Sequence, residues 1–369
     1  MNSPASQPRD IDHVEFYVGD ARQMAFYLCT AFGFRICGQG GPETGLTGQR
    51  SLLLRQAGVQ ILLTSALTAD HPVAEYVSRH GDGVAVVAFG TGDAEQCHAG
   101  AVASGAVSVS EPRRYARDDA QVVLATVGGF GDVVHRLVQR DGPRGEFLPG
   151  AIEMIAADPD TGDELLQVID HAAVCLPAGE LDPTVRYYED VFGFTEIFTE
   201  YIEVGEQGME SRVVQSPSGE VTFTFLQPDL RRRAGQIDDF LTWHGGAGVQ
   251  HVAFRTSDIV SAVRTFAGRG VGFAATPASY YDVVRDWLTP QDVDVAALRE
   301  LGVLVDRDHW GLMFQIFTQS MHVRRTLFFE LIERHGARTF GTSNIKALYE
   351  AKERELAGLR QPTEAGGRP

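Results

Sequence analysis

The chain has 369 residues, 44% of them hydrophobic, with 49 acidic side chains against 32 basic ones and a formal charge of −17. That length fills two ordinary domains, and that charge repels phosphate backbones and anionic bilayers, so neither nucleic acid nor membrane is expected as a partner. Cys29, Cys37, Cys97 and Cys175 lack the spacing of a zinc ribbon or disulfide framework, no apolar run is long enough to cross a bilayer, and MNSPASQPRD has no signal-peptide core; a cytoplasmic protein is expected.

IDHVEFYV (11–18) reads as a strand, RQMAFYLCTAF as a helix closing in F-G-F at 32–34, and LLLRQAGVQILLT as a hairpin about Gly58. These make a βαβββ module. GVAVVAF, the helix DAEQCHAGAVASG and strands ending in VVHRLVQR make a second, and a polar segment around 141–165 links it to the second half of the chain. The pattern then recurs. IDHAAVCL (169–176), TVRYYEDVF with F-G-F at 192–194 and the hairpin about Ser218 and Gly219 repeat the first module; GVQHVAF, DIVSAVRTFAGRG and TLFFELIER repeat the second, lengthened by an insertion around QDVDVAALRELG. The chain is a duplication of four modules. The expected fold class is α+β, with the tandem modules in two open, barrel-like domains: 1–150, metal-free and structural, and 151–369, catalytic and including a C-terminal helix over the site.

Three residues disturb the apolar pattern of the second half. In FFELIER, Glu330 interrupts a run that otherwise reads as a fully buried strand, and a carboxylate there requires a cation, a proton or a metal. His171 and His251 also sit inside apolar strands. Either histidine alone reads more readily as a hydrogen-bonded core residue than as a ligand. Jointly they read otherwise, because GDGVAVVAF (81–89) carries Val86 where GAGVQHVAF (246–254) carries His251, and Arg136 stands where Glu330 would be. His13 matches His171, but a single histidine cannot hold a metal. Two imidazoles and a carboxylate, confined to one half, are the facial set of non-heme Fe(II). The H-x-D at His80 and Asp82 precedes a strand in an unrelated topology, GGFG and GQGG lack a dinucleotide spacing, and Arg231, Arg232 and Arg233 read as a solvated loop. His309 and His322 flank a strand and read as surface or hydrogen-bonding residues.

IDHAAVC, GAGVQHVAF, LMFQIFTQ, TLFFELIER and FGTSNIKALYE resemble, in order and spacing, the 4-hydroxyphenylpyruvate dioxygenase family of the vicinal oxygen chelate fold, over nearly the whole chain. The resemblance implies one Fe(II) per chain on His171, His251 and Glu330, O2 as co-substrate, a small 2-oxo acid substrate and a homodimer. It names no catalytic side chain beyond the metal ligands. It places Ser211, Gln236, Gln250 and Gln315 as polar residues of the substrate pocket, with Phe317 and Phe340 as aromatic walls. Departures from the family pattern fall in the same pocket: where dioxygenases read F-P-I-N-E-P and F-G-x-G-N-F, this chain reads FTFLQP (223–228) and FGTSNI (340–345). Thr224 replaces Pro, Leu226 replaces Asn, Ser343 replaces Gly, and Ile345, after Asn344, replaces Phe. An aliphatic wall in place of an aromatic one moves the phenol ring. The departures resemble the branch of the family that hydroxylates the benzylic carbon, giving 4-hydroxymandelate for hydroxyphenylglycine-containing antibiotics, rather than the ring, giving homogentisate. A metal-free, ligand-sequestering protein on the same fold is the reading from another class, and the buried Glu330 argues against it.

Overall fold

Described in the computed structural model are residues 7–141, 146–156, 163–288 and 293–339. The first module comprises β1 (Asp10–Tyr17), α1 (Ala21–Phe32), β2 (Arg35–Gly40), β3 (Gln49–Gln56) and β4 (Val59–Ala66). Helix α2 (Pro72–His80) leads to the second: β5 (Gly83–Gly90), α3 (Ala94–Ala103), β6 (Ser108–Arg117), β7 (Ala120–Gly128) and β8 (Val134–Asp141). A short β9 (Glu153–Met154) comes next. The third module is β10 (Val168–Cys175), α4 (Leu181–Phe192), β11 (Thr195–Val204), β12 (Gln207–Gln215) and β13 (Thr222–Pro228), and α5 (Gln236–His244) joins it to the last. That module runs β14 (Gly248–Arg255), α6 (Ile259–Gly268), α7 (Ala278–Trp287), α8 (Val295–Leu301), β15 (Leu304–Arg307), β16 (Leu312–Phe317) and β17 (Phe328–His335).

Each F-G-F ends a helix on its glycine, Gly33 at φ 75° and Gly193 at φ 69°, the left-handed conformation that closes the last turn without a Cβ clash. The turn aims the following strand back along the sheet. Strand order is β6-β7-β8-β5-β1-β4-β3-β2-β9 in the first sheet and β11-β12-β13-β10-β14-β17-β16-β15 in the second. In both, the first strands of two modules pair antiparallel at the centre, β1 with β5 and β10 with β14. The insertion contains α7 and α8 and interrupts the strand corresponding to β6; Phe273 still bridges to Thr318 before pairing resumes at Leu304. The linker is less polar in its packing than in its composition, since Phe147 and Ile152 are buried against Leu53 and Leu62, and β9 extends the first sheet beyond residue 150.

Period-two alternation separates two faces on every central strand. Val14, Phe16, Val87, Phe89, Val174, Val252, Phe254, Phe329 and Leu331 face a single apolar core that runs between the sheets and holds α1, α3, α4 and α6. Phe32 of α1 packs on Phe329 of β17 at 5.4 Å, and Tyr188 of α4 packs on His135 of β8 at 5.5 Å, so each half's first helix, seated on its own sheet, also touches the other half's sheet. The opposite, concave faces hold the polar residues. Among the described residues no helix is long and apolar enough to cross a membrane.

Two buried histidines tie the halves together. His135 reaches the Val87 carbonyl and the Tyr188 hydroxyl, while His244 stacks on His80 at 4.3 Å and bonds the Gly246 carbonyl. Burial holds both rings neutral, pushing each down to about 4, with the nearby His80 adding to the effect on His244. A group depressed in the folded state takes up protons first when unfolded, so stability is complete above the ordinary value of 6.5 and is lost as pH falls from there toward 4. Each ring accounts for on the order of 3 kcal/mol over that window. The urea midpoint should therefore fall between pH 7 and pH 5.5, and the His135→Gln, His244→Gln double variant should flatten that dependence.

Candidate metal centre

On the concave face of the second sheet, register alone assembles the polar residues. His171 on β10 lies opposite Ala253 on β14, Ala253 opposite Glu330 on β17, and Glu330 opposite Phe317 on β16. One row along, Thr224 on β13, Ala173, His251 and Phe328 are neighbours across four strands. The Nε2 atoms of His171 and His251 each lie 3.2 Å from Glu330 Oε2, and all three residues are buried. Adjacent ligands on an octahedral ion sit about 3 Å apart when each bond is about 2.1 Å. The donors therefore fit one face of a dication, and they are the group of metal-competent side chains found among the described residues.

Strand bulges orient the imidazoles. In β10, Ile169 pairs with Phe254 and His171 with Ala253, leaving Asp170 as the extra residue; in β14, Val249 pairs with Val174 and His251 with Ala173, leaving Gln250 extra. A bulge breaks strict alternation and re-aims adjacent side chains. Here it lets each histidine bond its own chain neighbour: His171 Nδ1 lies 3.0 Å from Asp170 Oδ1, and His251 Nδ1 lies 3.2 Å from Gln250 Oε1. With Nδ1 as donor in both, each Nε2 lone pair is left for a metal. Asp170 also accepts from Arg255 and from both ends of the Arg334 guanidinium, at 2.8 to 3.0 Å. Against the effect of burial, Arg334 and His171 hold its carboxyl well below the usual range.

Burial favours the neutral form of Glu330, but attraction to His171 and His251 is stronger and holds it down at about 2. Burial likewise opposes charge on His171, and Glu330 with Asp170 overcomes it, raising the ring to about 9. A dication can take over the positive charge that this proton supplies. Gln315 Nε2 donates to Glu330 Oε1 at 2.7 Å, so its amide steadies the carboxylate. Phe328 stacks on His251 at 4.9 Å and Phe317 meets it edge-on at 5.7 Å, which excludes water from that side.

The remaining pocket positions fall on the same concave surface. Ser211 lies across from Leu226, and Thr224 across from Ala173. Among the described residues the hydroxyls of Ser211 and Thr224 are buried without a hydrogen-bond partner, an arrangement that costs about 1–3 kcal/mol per group unless a further group completes it. Gln236 is the first residue of α5, whose Ile237 and Phe240 close over Ala173, Cys175 and Leu226. Gln250 and Gln315, expected to touch substrate, are seen here holding metal ligands. Phe340, Ser343, Asn344, Ile345 and the C-terminal helix lie outside the described residues. Asp170, Arg255 and Arg334 were not singled out from the sequence, although the D-H pair that opens both halves carried the signal.

Elsewhere, His80 bonds the His244 carbonyl and Asp132 rather than completing an H-x-D site. Arg231, Arg232 and Arg233 are surface residues paired with Asp229, Glu203 and Glu206.

Comparison with known proteins agrees with this geometry. The family model of the Glyoxalase/Bleomycin resistance protein/Dioxygenase superfamily matches residues 10–132 and 168–316. The 4-hydroxyphenylpyruvate dioxygenase of Coccidioides posadasii is 33% identical over 96% of this chain and 95% of its own length, and that of Dictyostelium discoideum 35% over 93% and 97%. A solved mutant of 4-hydroxymandelate synthase from Streptomyces coelicolor superposes with a TM-score of 0.88 at 44% identity, covering 95% of this chain and 99% of that one.

Removing any of the three donors should abolish metal retention. After anaerobic loading with Fe(II) and gel filtration, His171→Ala, His251→Ala and Glu330→Gln should elute without iron, whereas His13→Ala should retain it. Iron lost from His13→Ala but kept by His251→Ala would place the centre in the wrong half. Asp170→Asn should keep the ligands yet weaken metal binding roughly ten- to a hundredfold, because the carboxylate that orients His171 is gone.

Proposed function

Because the chain belongs to the 4-hydroxyphenylpyruvate dioxygenase family, whose enzymes are iron-dependent dioxygenases, we propose that it converts 4-hydroxyphenylpyruvate and O2 to 4-hydroxymandelate and CO2. The reaction balances with one oxygen atom in the new carboxylate and the other on the benzylic carbon. The observation that carries this reading is the substrate-facing surface: Thr224 and Leu226 stand where the ring-hydroxylating pattern has Pro and Asn, in a chain that is 44% identical to a benzylic-hydroxylating enzyme over nearly its whole length.

When bound, Fe(II) supplies three adjacent open positions and the electrons for O2 activation. His171 and His251 present Nε2 lone pairs because Asp170 and Gln250 keep the protons on Nδ1. Glu330, fixed by Gln315, lowers the charge of the centre from two to one. A 2-oxo acid substrate would be held at that centre through its carboxylate and keto oxygen, its carboxylate balancing the charge that Glu330 leaves. Ala173, between Thr224 and His251, is the smallest residue of that row and keeps Thr224 about 10 Å from His251, two strand spacings away. The unpaired Ser211 and Thr224 hydroxyls are suited to bonding the phenol end. Phe317 and Phe328 keep the reacting side dry. In this reading the second half, residues 151–369, is catalytic, and the first is not.

Only a small energy difference selects the position attacked, since about 1.4 kcal/mol between competing barriers is tenfold in product ratio. Wild type, given 4-hydroxyphenylpyruvate, Fe(II) and O2, should release mainly 4-hydroxymandelate by chromatography. Thr224→Pro with Leu226→Asn should shift the products toward ring-hydroxylated species, and Ile345→Phe should add to that shift, while CO2 release continues. Homogentisate as the main wild-type product would instead support the dioxygenase activity named for the fungal and amoebal relatives.

A further inference from the structure

The first sheet has its own concave face, and it holds a cavity of about 300 Å³ lined in part by Gln49, Ser51, Leu62, Thr126 and Arg136. Register shows what this cavity is. Tyr17 pairs with Thr64 and Thr64 with Ser51, as Cys175 pairs with Leu226 and Leu226 with Ser211. Arg136 pairs with Ala88 and Thr126, as Glu330 pairs with Ala253 and Phe317. Ser51, Thr126 and Arg136 thus occupy the places of Ser211, Phe317 and Glu330. The cavity is the duplicate of the substrate pocket, with a guanidinium at its centre instead of a metal.

That guanidinium is only partly engaged. Arg136 Nη1 donates to Glu15 Oε2 at 2.8 Å and lies 3.5 Å from His13 Nε2. Glu15 is itself satisfied, its Oε1 accepting from Thr64 at 2.6 Å, and Thr64 lies 2.8 Å from Ser51. His13 is held by Asp12, and Asp12 by Arg140, repeating the second half's Asp170 and Arg334. Among the described residues, Arg136 makes no hydrogen bond through Nη2 or Nε, yet its side chain is 21% accessible between strands that are otherwise buried. An arginine carries five donors in a planar fork that matches a carboxylate. A buried ion pair is a weak source of stability by itself, so this arrangement is better explained by what the free edge can hold.

The rest of the cavity sets the ligand's shape. Leu46, Leu62, Phe147, Leu148 and Ile152 give it an apolar side, closed by the segment that links the two halves, and Arg140 lies over the Phe147 ring at 4.8 Å. Exposed Arg113, stacked on Tyr115, adds positive charge at the rim. We infer that the concave face of the first sheet is a second ligand site, which takes a small monocarboxylate with an apolar body and holds its carboxylate on the free edge of Arg136. The inference is independent of iron and of the reaction assigned to the other half.

Benzoate is a suitable probe, titrated calorimetrically into the full Fe(II)-loaded chain under argon and, separately, into His251→Ala. The expected result is one benzoate per chain bound by both proteins. Binding should weaken at least about tenfold in the Glu15→Gln, Arg136→Gln double variant, which removes both charges together. Thr126→Phe should weaken it similarly, because it places in the cavity the residue type that the second half carries there and leaves the ion pair intact. Thermal melting checks that the variants fold, and if the double variant does not, Thr126→Phe decides. No benzoate bound by wild type in the millimolar range, binding abolished by His251→Ala, or binding unchanged in Thr126→Phe would overturn the inference.

Discussion

Glu330 is a carboxylate in the middle of a strand that must otherwise be apolar, because one face of β17 packs on the core between the sheets and the other closes a pocket. Desolvating such a group without compensation costs several kcal/mol. The polar network around it follows from meeting that cost. Two imidazoles converge on it, an amide from β16 fixes its second oxygen, and the histidines are steadied by a bulged aspartate and a bulged glutamine. Asp170, once buried to orient His171, in turn requires Arg255 and Arg334. The network ends only where side chains reach solvent.

The first half meets the same constraint with inverted charge. At the position of Glu330 it has Arg136, and at the position of Ala173 it has Glu15, so the cation is covalent and the anion comes from β1, beyond the intervening β5. The Asp12, His13 and Arg140 scaffold survives unchanged in form. Duplication thus preserved a polar centre in each curled sheet while exchanging what neutralises it. A guanidinium cannot activate O2, and its donors suit an anion; the two halves have one architecture and different chemistry. They remain mechanically dependent, because Phe32 of α1 and Tyr188 of α4 each pack on the sheet of the other half within one shared core.

Much of this was legible in the sequence because two regularities made it so. Duplication supplied an internal reference, so Val86 against His251 and Arg136 against Glu330 marked the half that carries the candidate metal centre without any other protein for comparison. Period-two alternation made polar residues inside apolar strands conspicuous, which singled out His171, His251 and Glu330, and the four modules followed from the order of strands, helices and hairpins. The sequence by itself therefore determined the fold class, the repeat and the candidate ligand set. Tertiary structure alone decided the rest. Where a bulge falls depends on the pairing register of two strands about eighty residues apart, so neither the hold of Asp170 on His171 nor that of Gln250 on His251 is written in local pattern. The pairing of Glu15 with Arg136, the burial of a linker that reads as polar, and the ring contacts of α1 and α4 with the opposite half are likewise contacts between distant segments. Local composition records whether a side chain suits water or core; which partner it meets there is set by how the sheets close.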